Sequence, residues 1–262
     1  MEYATIYAGP RKTDMTAVET LTVSGILQTL FVLARAKNPH LAQAWVDVSY
    51  RLTGRFALIP AVLDLQRLGD IDLVLRAIED EQAAKIAITN VEHNTPDFSL
   101  HYQMTFSQVW VLGFYEVLRL VRQRDKDARR NSLESSGISD LAEYESLFRD
   151  FEVLRMPLAK YEIAKDNKMK HPLKLYAYPK NSNPTDERIY DKKDPSRHII
   201  MPTGLSARGS VQWLPVDHTS SSQRWIERQD LSDRFFKFAL AIEPAGIREA
   251  RLRAEKEKSG SN

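Results

Sequence analysis

The segment FEVLRMPLAKYEIAKDNKMKH, residues 151–171, gathers side chains suited to holding an anion. Arg155 and Tyr161 stand with five residues between them, and Lys165, Lys168, Lys170 and His171 follow. A guanidinium presents a planar fork of donors to a phosphate, and ammonium groups add point charge. A second basic stretch, RLVRQRDKDARR, carries Arg119, Arg122, Arg124, Lys126, Arg129 and Arg130, diluted by Asp125 and Asp127. Both stretches close predicted helices, where the macrodipole favours cations. They form one patch only if those helices run parallel. On that condition Arg122, Arg124, Arg129, Arg130, Lys165, Lys168, Lys170 and His171 are expected to contact RNA or another anionic ligand.

Other chemistry finds little support. The histidines form no HExxH spacing, and no metal site or cofactor is expected. There is no cysteine, which removes disulfides, thiolate ligands and a thiol nucleophile. Asp217, His218 and the serines at 220–222 lie together on a predicted hairpin tip. Asp and Ser there are ordinary turn chemistry, whereas a triad needs a base oriented by a third group. TGLSARGS, residues 203–210, offers amides and Arg208 to an anion, although a loop between strands needs glycines anyway. No phosphate-cradling glycine motif is present.

RMPLAKY, residues 155–161, resembles the HEPN families. These are helical bundles, often toxin or antiviral ribonucleases, with an arginine and a histidine separated by four to six residues. Tyr161 stands where the histidine is expected, and Met156 follows the arginine where a polar residue is common. The resemblance covers this segment and the helical character of the chain. It implies Arg155 and Tyr161 as catalytic candidates, RNA as partner, and a place in stress or antiviral defence. Tyrosine titrates at about pH 10, so the resemblance implies a divergent member with weak or no cleavage. The packing alternative is that Tyr161 closes an apolar stripe while Arg155 pairs with Glu152 or Glu162.

Helices must position these groups. Apolar periodicity predicts one over residues 15–38, capped by Asp14 or Thr16 and stopped by KNPH. Shorter ones follow, with Gly54 and Gly69 as breaks, and then an amphipathic stretch over 70–89. Residues 104–124 are apolar nearly all round, with Trp110 and Phe114 among them, which places that helix at the centre of a bundle. The next helix starts near Ser139 or Asp140, with Glu143 three residues after Asp140 as in a capping box. Leu147, Phe151, Leu154, Leu158 and Tyr161 form its stripe, and Pro157 predicts a kink or break. After His171 the period changes. LKLYAYP, RHIIMP, SVQWLPVD and RWIERQ read as strands, and DLSDRFFKFALAI as a helix capped by Asp230 or Ser232.

The fold class is therefore mainly α: a helical bundle with a small C-terminal antiparallel β-meander and a returning helix. The expected organisation is a bundle over 1–171 and a meander plus helix over 172–262 packed on it, because so few strands cannot bury a core alone. The chain has 262 residues, 43% hydrophobic and 27% charged, with a formal net charge of +2, so any basic site must be local. No leader is seen, and the most apolar run, 109–121, holds Glu116 and Arg119 and is short for a bilayer. A cytoplasmic protein is expected, with no membrane partner. Two functions remain open: a nucleic-acid-associated HEPN-like protein, or a scaffold that binds a protein partner or forms a homo-oligomer. Whether it is an enzyme stays undecided.

Overall fold

The computed structural model describes residues 22–53, 59–88, 98–130, 141–169, 173–175, 188–195, 199–218 and 222–244. Helices α1 (Val23–Lys37), α2 (Pro39–Thr53), α3 (Ile59–Ala87), α4 (Ser99–Arg130) and α5 (Leu141–Lys160) come first. Seven short strands follow: β1 (Leu173–Leu175), β2 (Arg188–Tyr190), β3 (Thr203–Leu205), β4 (Val211–Trp213), β5 (Val216–Asp217), β6 (Ser222–Gln223) and β7 (Ile226–Glu227). Helix α6 (Arg228–Leu240) returns to the bundle. The fold is mainly α with an antiparallel β-appendage, as the periodicity implies.

Helix ends differ from the sequence reading where a local bond decides them. The α1 N-cap is Thr22, whose hydroxyl accepts from the Gly25 amide at 3.1 Å. Asp14, Thr16, Ser139 and Asp140 lie outside the described residues. Pro39 opens α2 directly after Asn38 caps α1, since proline suits a first turn that has no use for its missing N–H. Asp230 and Ser232 do not cap α6, which begins at Arg228. The polar run after Val121 stays helical as far as Arg130.

Gly69 is not a break. It sits inside the single 29-residue helix α3. A Cβ there would come within 2.5 Å of the Trp45 ring. A glycine costs a helix about 1 kcal/mol, and here that cost admits the indole against the backbone. Trp45 in turn stacks on Phe235 at 5.5 Å and meets Phe114 and Phe236 edge-on. Trp110 and Phe114 are fully buried, so α4 does form the centre. One continuous apolar cluster runs from Ala34 through α2–α5 to Trp213, Ile226, Phe235 and Ile242. A smaller one joins Ile163, Met169, Leu173, Tyr190, Ile199 and Val216.

The strands form three pieces rather than one meander. β3, β4 and β7 make an antiparallel sheet in that order, pairing Leu205 with Val211 and Trp213 with Ile226. β1 pairs with β2, and β5 with β6. β2 falls in a polar stretch outside the four expected strands, and residues 199–202, within the expected strand RHIIMP, are not strand. Instead the Ile199 amide donates to the Tyr161 carbonyl at 2.7 Å.

Candidate functional site

Arg155 lies on the face of α5 that meets α4. Its guanidinium sits over the Tyr115 ring at 4.9 Å and pairs with Glu116 at 3.4 Å. That partner is on α4, not the local Glu152 or Glu162 expected from spacing. Tyr161 does something else. Helix α5 runs on through Pro157 without a break and ends at Lys160. Tyr161 then takes a left-handed backbone, φ 58°, with its side chain 64% exposed. It leaves the stripe that Leu147, Phe151 and Leu154 continue. A positive φ at a helix C-terminus closes the last turn, and the Tyr161 amide donates to the Pro157 carbonyl at 3.1 Å. The expectation that Tyr161 packs is therefore corrected.

The two basic stretches lie at opposite ends of one helical hairpin. Arg122 binds Glu145 through both guanidinium edges, while Gln108 donates to the Leu158 carbonyl. Those contacts make α4 and α5 antiparallel. The two levels are about 20 Å apart at ~1.5 Å rise per residue. The condition for a single joint patch is thus not met. Several of the cations are also neutralised: Arg119 by Glu116, Arg122 by Glu145 and Lys165 by Glu152. Arg122 further stacks on Phe148 at 4.4 Å. Arg124, Lys126 and Arg130 are exposed at one end, and Lys160 and Lys168 at the other. Lys170, His171 and the Arg129 side chain lie outside the described residues.

Beside Arg155 the structure gathers groups that are distant in sequence. Lys165 binds Glu152 at 2.5 Å and Arg149 binds Asp217 at 2.5 Å, which brings the end of β5 and His218 to α5. Burial holds the His218 imidazole below its ordinary pKa, and the positive charges of Lys165 and Arg149 add to this against the pull of Asp217. Burial, and then the charge of Glu152, push the Tyr115 phenol up against the opposing Arg155. This mixed cluster is close to charge balance. The serines at 220 and 221 lie outside the described residues. The 203–210 loop spends its amides internally, since Arg208 and Ser210 both donate from their amides to the Ser206 hydroxyl.

The most heavily buried charges were not singled out by the sequence. Arg228, at the first turn of α6, is fully buried. It donates to Asp72 and to both carboxylate oxygens of Glu79, with Nε at 2.7 Å from Oε1. Asp72 also accepts from Trp45 Nε1 at 3.1 Å and from Arg76 at 3.0 Å. Ser210 donates to Glu79 at 2.6 Å, and Arg228 lies over the Trp110 ring at 5.4 Å. Burial alone would raise the Asp72 pKa, but Arg228 and Arg76 outweigh it and hold the carboxyl below its ordinary value. Desolvation works against the Arg228 cation too, and the two carboxylates overcome it. The only trace in the sequence is that Asp72, Arg76 and Glu79 recur at four- and three-residue steps along α3. The arrangement is closed to solvent and joins elements; it presents nothing to a substrate.

What the molecule does present is α1. Val23 is 75% exposed and Leu33 63%, with Ile26, Leu27 and Val32 also open to solvent. No charged residue occurs from Thr22 to Ala34. An open depression of about 530 Å³ where α1 passes into α2 is lined by Lys37, His40, Arg76, Asp233, Phe236 and Leu240. Its Lys37, Arg76 and Asp233 are already committed to ion pairs. Among the described residues no group of three or more metal-ligating side chains comes together, and no helix is long and apolar enough to cross a membrane.

No protein-family model matches the chain, and no curated protein or solved structure is similar to it.

Proposed function

We propose that the protein works by association, as a helical module that docks another polypeptide on α1. The observation that carries this reading is the uncharged apolar face of that helix. Exposed apolar side chains are normal one at a time, but several on one helix mark a contact surface. Ion pairing at Arg119, Arg122 and Lys165 leaves the nucleic-acid reading with less concentrated charge than the sequence suggests.

Two measurements test the proposal. A photo-cross-linking amino acid placed at Leu33 in producing cells is expected to capture a polypeptide, and the absence of any cross-linked chain overturns the reading. The purified protein is expected to show a protein-like absorbance ratio at both low and high salt. A nucleic-acid ratio lost in salt favours RNA association, because each phosphate contact releases counterions.

A further inference from the structure

We infer that ordered water is held inside the protein, between α3, α4 and the loop that precedes β4, by Gln103, Ser107 and Trp110. These residues recur on α4 at steps of four and three, which puts them on one face of the helix. All three are fully buried. Phe114 and Leu118 continue the same face as apolar core, so its first turns bury polar groups where the later turns bury apolar ones. Among the described residues, no protein group hydrogen-bonds Gln103 Oε1, Ser107 Oγ or Trp110 Nε1. Buried polar atoms in folded proteins are nearly always paired, with protein or with ordered water, because an unpaired one costs stability. Three such atoms on one face call for a shared partner.

The three lie beside the charge cluster of Arg228. Leu68 meets α4 at Gly113, where a Cβ would come within 2.8 Å of it, and Gln82 donates to the Ser99 hydroxyl at 2.6 Å. Those contacts set α3 and α4 antiparallel, with the span from Asp72 to Glu79 level with the span from Gln103 to Trp110. Arg228 bridges Asp72 and Glu79 and lies over the Trp110 ring at 5.4 Å. Gln103 donates through Nε2 to the Gly209 carbonyl at 2.6 Å, and the next residue, Ser210, donates to Glu79 at 2.6 Å. The loop is thus tied down across this face, and Ser107 lies between its two neighbours within a buried polar layer. A polar interior is the kind that stays wet, whereas an apolar cavity stays dry.

The donor set selects water over an ion. Trp110 Nε1 can only donate, so it needs an acceptor. Gln103 Oε1 can only accept, so it needs a donor. The amide cannot turn round to change this, because its Nε2 is fixed on the Gly209 carbonyl. Ser107 can do either. An anion would satisfy Trp110 and repel Gln103 Oε1, with Asp72 and Glu79 close by. A cation would do the reverse, beside Arg228. Water donates and accepts at once. Gln103 and Trp110 are ~10 Å apart along the helix axis, so Ser107 is the pivot. One water joins its hydroxyl to Trp110, and a second joins it to Gln103. Each then has two of the ~2–4 hydrogen bonds that hold a buried water. The inference is independent of what docks on α1.

A high-resolution crystal structure of the full chain tests this directly. It is expected to show solvent density within about 2.7–3.2 Å of both Ser107 Oγ and Trp110 Nε1. In solution, water-selective nuclear Overhauser spectra are expected to show the Trp110 indole proton cross-relaxing with long-lived water. A dry site overturns the inference, as does a crystal in which the three atoms bond to protein groups instead. Ser107→Ala supplies a test by sign. If the hydroxyl anchors water, the substitution removes the pivot, and the melting temperature is expected to fall by roughly 2–4 °C with loss of the density and of the cross-relaxation. If the hydroxyl is merely stranded, its removal relieves a cost and the melting temperature rises, which also overturns the inference. Should the variant fail to fold, the wild-type density and spectra decide alone.

Discussion

Arg228 carries more consequence than any other single residue. Removing one partner of a buried ion cluster leaves the others uncompensated, at a cost of roughly 3–5 kcal/mol. Arg228→Ala leaves Glu79 in the core with only Ser210 and removes one of the two cations on Asp72, and a loss of that size is expected in chemical denaturation. The same cluster sets the acid response. The folded-state pKa of Asp72 lies below its unfolded value. Its contribution is therefore fully present above the unfolded pKa, about 3.9, and is lost as pH falls through the folded value. Stability is expected to fall below about pH 4, and Asp72→Asn is expected to be less stable at neutral pH with a shallower acid limb. Gly209 is the other decisive residue. Its φ is +72°, and a Cβ would come within 2.5 Å of the Ala83 amide nitrogen on α3. Gly209→Ala combines a left-handed backbone penalty of ~1–2 kcal/mol with overpacking of ~1–3 kcal/mol. A melting curve lowered by the sum is the expected result, and an unchanged one would mean that the loop does not sit on α3.

At the scale of elements, what was legible followed periodicity. The stripe of Leu147, Phe151 and Leu154 and the encircling apolar set of α4 are local patterns, and both helices are where those patterns place them. Gly69 misleads because its reason is tertiary: Trp45, far away in sequence, needs the missing Cβ. Tyr161 misleads in the opposite sense, since a stripe counts spacing but cannot register a backbone that turns left-handed after Lys160. β2 was hidden because three residues, Arg188–Tyr190, give too short a run to show alternation. The candidate site was legible only in its parts. Arg155 stands out in the sequence as an anion-binding candidate or a local ion-pair partner, but its partners Tyr115 and Glu116 come from another helix. The charge cluster joins Arg228 on α6 to Asp72 and Glu79 on α3, 156 and 149 residues away, so no window of sequence contains it. The direction of α4 against α5 decides whether the basic ends meet, and it follows from a connection whose length alone permits either answer.

For the molecule as a whole, the C-terminal segment and the bundle share one interior. Trp213, Ile226, Phe235 and Ile242 belong to the same apolar cluster as Trp45 and Phe114. Residues 172–262 expressed alone would expose that surface. Their amide spectrum is expected to be collapsed and without a cooperative melt; a dispersed spectrum would show an independent unit. The buried arginine also orders events in time. Glu79 and Asp72 wait for a cation that lies 149 and 156 residues further along the chain. At roughly 5–20 residues per second on the ribosome, α3 spends several seconds or more with Glu79 lacking its cation and Asp72 held only by Arg76 and Trp45. Until Arg228 leaves the exit tunnel the nascent bundle has reason to stay open around α3. A nascent chain stalled just before that point is expected to be cut readily by protease, and one stalled after α6 emerges to resist it. Synthesis, on this account, is completed by a late residue that closes an early helix.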